Sequence, residues 1–254
     1  MPSAFYQLPL AKLSQMYSAF TTHLGAFALT RAGMGMKGSS FTLSMALDMA
    51  LGHLRPNVDN YADDIFVTSN SVDAHMAQIE ATLSAFIDAN MVVSPLKSRF
   101  FRTQVNVLGH TVGRGFVKPD HDKTEAIMKM SPPKNRTGIR SFLGMTSFFR
   151  RFISRYAHIA KPLTVLTSDN VPFVWGQEEQ AAFDALKKKL CEGPILRAPD
   201  HNKPWYIISD ASSKAVGAWL AQRHEGVLHP VSYHSRVLKE CELKWALDTY
   251  ECKP

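Results

Sequence analysis

The sequence predicts an α+β fold. Three observations carry that expectation. "FTLSMALDMALGHL" (41–54) is an apolar tract of helical length and few charges. "VDNY" and "DIFVTS" are short runs of strand-forming residues on either side of Ala62–Asp63. Ser71 to Asn90 then places Met76, Ile79, Leu83, Phe86 and Ile87 at helical spacing.

In order along the chain, the 41–54 helix is stopped by "RPN" (55–57), because a proline disfavours helix at the residue before it. The two runs around Ala62–Asp63 form a β-hairpin with an acid at its tip. "MVVS" (91–94) and "VNVLGHTV" (105–112) read as short strands, which gives a mixed unit up to about residue 118. Pro132 and Pro133 separate two helical stretches. The second, from Thr137, carries Ile139, Phe142, Leu143, Phe149, Phe152 and Ile153 among its arginines. Those aromatics suit a helix core better than base stacking. "GQEEQAAFDALKKKLCEGP" (176–194) is a helix with acids at its start and lysines at its end, as the helix dipole favours, closed by Gly193–Pro194. "WYIIS", "AVGAWLAQ" and "LHPVSYHS" are strand-like, and a further helix is expected from about Lys239.

Composition narrows the class. With 45% hydrophobic and 20% charged residues, the 254-residue chain can bury a core and is not disordered by composition. It contains no run of about 18 apolar residues, so a membrane span is not expected. The start lacks the pattern of a secretory signal, and the three cysteines form no CxxC pair. Both point to an intracellular, reducing location rather than secretion. Net charge is +7. From Lys123 to Lys161 nine basic residues face a single acid, Glu125, a concentration that suits a phosphate backbone or a solvated basic face.

Three segments could carry chemistry. "NYADDIFV" (60–67) sets Asp63 and Asp64 side by side between apolar flanks. Such a pair can be surface punctuation, or hard oxygen ligands for divalent ions in phosphoryl chemistry. "RAGMGMKGSS" (31–40) has three glycines close to Lys37, but the spacing of neither a P-loop nor a dinucleotide fingerprint. In "YIISDASSKAVGAWL", Asp210 ends a strand and is followed by small residues, as either a turn residue or a metal ligand.

Taken in order, these motifs resemble the reverse transcriptase–ribonuclease H segment of the Pol polyprotein of long-terminal-repeat retroelements, Ty3/gypsy type. "NYADDIFV" resembles its Y-x-D-D hairpin. "SAFYQLPL", "AFTTHLGAFALTRAGMGMKGSSFTLSMAL", "VNVLGHTV", "IRSFLGMTSFFRRFISRYAHIAKPLTVLT" and "PILRAPDHNKPWYIISDAS" fall where that family has its palm motifs, thumb and ribonuclease H entry.

The resemblance implies a partial palm at 1–118, a helical thumb at 119–165, a connection at 166–200 and the start of a ribonuclease H-like domain at 201–254. It implies Asp63, Asp64, Asp210 and Glu251 as catalytic, metal-binding carboxylates for Mg²⁺, with Mn²⁺ as a substitute. Phe5, Gly35 and Lys37 are implied at the nucleotide. Leu108, Gly109 and His110, with the basic Arg140, Arg150 and Arg151, are implied on nucleic acid. The implied partners are an RNA or DNA template–primer duplex and deoxynucleoside triphosphates. By the same alignment the third polymerase carboxylate falls immediately before Met1, and "AGM" stands at 32–34 where "MPF" is usual. The expectation is therefore a fragment with little activity of its own; the competing reading is a non-catalytic nucleic-acid-binding remnant.

Overall fold

The computed structural model describes residues 1–192, 195–212, 215–239 and 241–242. The chain divides into two compact units, Met1–Arg102 and Thr103 onward.

The first unit is built on the 41–54 tract. Its helix runs Ser39–Leu51 (α2, after a four-residue helical turn α1, Lys12–Gln15), and a 3₁₀ turn continues it to Leu54. Leu43, Leu47 and Leu51 recur every four residues, so they fall on one stripe, and all three are buried. Val72–Asp88 forms α3, capped by Ser71, whose hydroxyl accepts the Ala74 N–H at 3.2 Å. Its apolar stripe is broader than its buried face. Thr82, Ala85 and Phe86 are buried, whereas Met76, Leu83 and Ile87 are exposed. The predicted hairpin is present as β3 (Val58–Tyr61) and β4 (Asp64–Val67). A second hairpin, β1 (Phe20–Thr22) with β2 (Gly25–Phe27), is exposed on every residue, so burial left no alternating pattern by which to foresee it. "MVVS" is not a strand. It is an extended connection whose Val92 amide pairs with the Gln7 side chain instead of another strand.

In the second unit, "VNVLGHTV" is two strands, β5 (Val105–Val107) and β6 (His110–Gly113). β7 (Phe116–Pro119) and β8 (Leu196–Arg197) extend this antiparallel sheet. The helices are α4 (His121–Met128), α5 (Arg136–Phe148), α6 (Tyr156–Val165) and α7 (Gln177–Cys191). Phe142 of α5 and Phe183 of α7 meet at 4.5 Å, and with Ile139, Phe152, Leu163 and Leu186 they form a buried core. Phe142, Phe149 and Phe152 of the basic segment are thus core, whereas Phe148 is exposed. At the start of α7 the Gly176 amide donates to Glu179, and Lys188 and Lys189 close the helix. Gly193–Pro194 lies outside the described residues. The three strand-like runs form an antiparallel sheet of β9 (Trp205–Ala211), β10 (Ala215–His224) and β11 (Val227–Val237), in the order β11-β10-β9. The helix expected from Lys239 falls almost wholly outside the described residues.

Among the described residues no helix is long and apolar enough to cross a membrane.

Candidate carboxylate sites

The β3–β4 hairpin is anchored at its base and open at its tip. Val58 is fully buried, while Ile65 and Val67 pack partly against the same core. Tyr61 pairs with Asp64, which leaves Ala62 and Asp63 as a two-residue turn. Ala62 takes φ 50°, a left-handed conformation uncommon for alanine. Outliers of this kind cluster where surrounding structure over-determines a turn. Asp63 and Asp64 are exposed, and neither forms an ion pair among the described residues. The nearby Arg55 is committed to Asp48 at 2.7 Å and Asp59 at 3.5 Å. Two adjacent carboxylates without an ion-pair partner favour a bound cation, and the Met1 ammonium, on the Asp63 carbonyl at 2.8 Å, is a positive charge already at this tip. Their hard oxygens suit Mg²⁺ or Mn²⁺, so the donor set fits a divalent ion.

Phe5 sits in a 3₁₀ turn, Ala4–Gln7, whose flanks Ala4 and Leu8 are buried in the core that receives Val58. Its ring is half-buried against that core. Gln7 fixes the turn: its Nε2 donates to the carbonyls of Pro2 (2.8 Å) and Val92 (3.0 Å), and its Oε1 accepts the Val92 amide (2.7 Å). The segment 30–32 lies alongside 8–10 through Leu10 N–H to Thr30 O and Ala32 N–H to Leu8 O. That pairing delivers the glycine loop. Gly35 and Gly38 take φ 80° and 91°, and Gly38 caps α2. Lys37 is exposed between them. Phe5, the Gly35–Lys37 loop and Asp63–Asp64 are therefore held on one core. Sequence reasoning missed Gln7; its signal was a lone amide between apolar residues in "SAFYQLPL".

In the second unit, Leu108 and Gly109 are the turn between β5 and β6, with φ 50° and 77°. Leu108 is exposed, but His110 turns inward. Its ring lies 5.1, 5.8 and 5.5 Å from those of Phe148, Phe149 and Phe152. Its Nδ1–H donates to the Leu108 carbonyl at 3.0 Å, while Nε2 is buried with no hydrogen-bond partner among the described residues. Burial lowers the His110 pKa, and the Leu108 carbonyl and Arg151 modify that shift in opposite directions.

The arginines of the basic segment are committed within the chain. Arg140 donates to Thr167 O and to Asp169. Arg150 donates to Ser235 O and Arg151 to Val231 O, so both reach β11. Asp210 lies near the end of β9, exposed, with Arg155 Nη2 at 3.0 Å from its Oδ2. Glu251 lies outside the described residues. The one group of three metal-capable side chains among the described residues, His121, Asp122 and Glu125, is exposed on α4 and includes none of the predicted ligands. Its Glu125 is paired with Lys129 at 2.6 Å.

The comparisons with known proteins agree with this architecture. Residues 1–112 match the family "Reverse transcriptase (RNA-dependent DNA polymerase)", and residues 175–253 match "RNase H-like domain found in reverse transcriptase". The chain is 34% identical to the Retrovirus-related Pol polyprotein from transposon opus of Drosophila melanogaster, over 97% of this chain and 26% of that protein. It is 33% identical to the corresponding polyprotein from transposon gypsy of the same organism, over 99% and 25%. It is 26% identical to the Transposon Tf2-3 polyprotein of Schizosaccharomyces pombe, over 99% and 19%. A foamy viral protease-reverse transcriptase in complex with double-stranded DNA superposes with TM-score 0.90 at 24% identity, over 98% of this chain and 44% of that one. Another, in complex with RNA/DNA hybrid, gives 0.84 at 24% identity, over 97% and 34%.

The two matched segments define the class: a reverse-transcriptase family segment at residues 1–112, followed by an RNase H-like segment at residues 175–253. More particularly, the chain belongs to the Pol polyproteins of long-terminal-repeat retrotransposons of gypsy type. It spans about a quarter of the length of the gypsy and opus relatives.

Proposed function

We propose that this chain carries part of the active site of an RNA-directed DNA polymerase with ribonuclease H, acting on an RNA or DNA template–primer duplex and deoxynucleoside triphosphates. The observation that supports it best is the hairpin tip: two adjacent exposed acids, unpaired, on the same core as Phe5 and the Gly35–Lys37 loop. Asp63 and Asp64 would hold Mg²⁺, which when bound activates the attacking hydroxyl and stabilises the leaving pyrophosphate. Phe5 would lie against the sugar of the incoming nucleotide and reject a 2′-hydroxyl sterically. Gly35, with no side chain, leaves backbone accessible to the nucleotide, and Lys37 offers it a cation. Leu108 and Gly109, at an exposed turn, would contact the primer, and His110 would hold that turn from inside. Asp210 and Glu251 are proposed as ribonuclease H carboxylates on the resemblance alone. A reducing, intracellular setting suits cysteines that form no CxxC pair.

The test is primer extension with Mg²⁺ or Mn²⁺, run beside duplex binding on the same preparations. Synthesis by this chain alone is expected to be weak, and Asp63→Asn and Asp64→Asn are each expected to bring it to background, in keeping with loss of one member of a cooperative set. Duplex affinity should stay within about twofold, because phosphate contacts dominate it. Synthesis that is indifferent to both substitutions would overturn the proposal and leave a nucleic-acid-binding remnant.

A further inference from the structure

One row of the β9–β11 sheet is used twice. Asp210 pairs with Gly217, and Gly217 pairs with Ser235, so the three residues lie side by side on one face across all three strands. The N-terminus of α6 docks on this row. At one end, Ser235 Oγ accepts the Ala157 amide at 2.9 Å, supplying in trans the cap that Arg155, at the cap position, does not provide. At the other end, Arg155 Nη2 reaches Asp210 Oδ2 at 3.0 Å. Between them Gly217 leaves a cleft, bordered by Arg155, His158, Asp210 and Ser235. A Cβ on Gly217 would meet only ordinary contacts at 3.9 Å, so packing does not require glycine there; a side chain would instead intrude on the cleft. Arg155 itself has φ 57°, ψ 31°, a left-handed backbone rare for arginine, fixed by the hydrogen bonds that His158 and Ile159 donate to its carbonyl. That backbone sends the guanidinium toward Asp210, which has no other ion-pair partner among the described residues.

We infer that Arg155 is a guard on Asp210: its guanidinium and a divalent cation are alternative partners of the same carboxylate, so Arg155 must leave before Asp210 binds metal. This rests on the reading of Asp210 as a metal ligand. A cation cannot share the charge of Oδ2 with a guanidinium at 3.0 Å without repulsion, and the pair is exposed enough to open. The helix N-terminus stays anchored by Ser235 when Arg155 releases, so the guard opens by side-chain movement alone.

The test is Mn²⁺ titration of the whole chain, read by water-proton relaxation, in a background with Asp63 and Asp64 both changed to Asn. Arg155→Asn and Arg155→Gly remove the guanidinium with residues that accept the left-handed backbone, so neither relies on refolding of the cap. Both are expected to tighten Mn²⁺ binding about two- to fivefold, the range an exposed ion pair supports. Asp210→Asn is expected to abolish that component, and adding Arg155→Asn to it should change nothing. If Asp210→Asn leaves Mn²⁺ binding unaltered, the metal-ligand reading fails and the guard with it. If Asp210→Asn weakens binding while both Arg155 variants leave it unchanged or weaker, the guard alone is overturned.

Discussion

The amino group of Met1 donates a hydrogen bond to the backbone carbonyl of Asp63 at 2.8 Å. The start of the chain thus lies against the tip that carries both exposed acids. Any residue joined to that nitrogen has its Cα about 3.8 Å from that of Met1, at the hairpin. An aspartate joined there is expected to tighten Mn²⁺ binding at the tip by at least about tenfold relative to an alanine joined there. The gain should vanish when Asp63 and Asp64 are both Asn. Relaxation titration of the four chains checks this; equal affinities for the Asp- and Ala-extended chains would sink it.

Ala62 sets the direction of the two acids through a left-handed backbone. Glycine there removes the steric cost of about 1–2 kcal/mol but adds unfolded-state freedom, so Ala62→Gly is expected to be near neutral in stability. Ala62→Val puts a β-branched side chain into the same conformation and is expected to cost about 1–2 kcal/mol or more. Urea denaturation of the two variants measures the contrast. Equal stability would show that the turn relaxes to another conformation.

Gln7 joins the Phe5 turn to a segment 85 residues away through a donor and an acceptor on Val92. Gln7→Ala leaves the exposed Val92 amide to water in place of that partner and is expected to cost about 0.5–1.5 kcal/mol. Gln7→Glu keeps the acceptor but loses both donated bonds, so it should fall between the two. Because Phe5 rides on this turn, the proposed discrimination between deoxynucleotides and ribonucleotides should weaken in Gln7→Ala while Lys37 is untouched. Thermal melts and paired dNTP/rNTP incorporation assays report the two effects separately.

These cases mark where the sequence was legible. The Asp63–Asp64 hairpin could be read because its residues carry their own turn and strand preferences, and α3 because Met76, Ile79, Leu83, Phe86 and Ile87 recur at helical spacing. What could not be read is non-local. "MVVS" has strand composition, yet its backbone pairs with a side chain from residue 7. "VNVLGHTV" looked like one strand, because nothing marks Leu108 as a residue that will accept φ 50°. Charge counts located the basic segment but not its partners: Arg155 meets Asp210 and Arg150 meets Ser235, 55 and 85 residues away. Part of a +7 surplus is therefore spent on carbonyls and a carboxylate rather than on a solvated face.

His110 gives a pH dependence with a definite sign. Its folded pKa lies below the ordinary value of 6.5, mainly through burial among the phenylalanines. Below about pH 6.5 the unfolded chain therefore binds more protons than the folded one, and stability falls with pH. His110 contributes its full stability above about pH 6.5 and loses it progressively as pH drops toward the folded value. His224, also lowered, adds a slope of the same sign. His110→Phe is expected to flatten the loss between pH 7 and 5 without abolishing it. An unchanged slope in denaturation midpoint would contradict the inward placement of the ring.

The structure separates two kinds of basic residue in the 123–161 segment. Arg150 and Arg151 each donate to a β11 carbonyl and lie over the rings of Tyr156 and Phe152. Arg150→Ala or Arg151→Ala removes a charged, partly buried hydrogen bond and is expected to cost about 1.5–3 kcal/mol of stability. The salt dependence of duplex binding should barely move in either. Lys123 and Lys134 are exposed and form no ion pair among the described residues, so they are free to neutralise phosphate. Each lysine-to-alanine change is expected to lower the magnitude of the log K against log salt slope by up to about 0.9 on duplex DNA, with little effect on melting. Arg140 lies between the two classes: it is exposed, but held by Thr167 and Asp169. Its alanine variant should lose less stability than Arg150→Ala and less slope than Lys134→Ala. Fluorescence-anisotropy titrations from 50 to about 200 mM salt, run beside thermal melts, distinguish the classes. A reduced slope with unchanged melting in Arg150→Ala would mean that this guanidinium leaves Ser235 to bind phosphate.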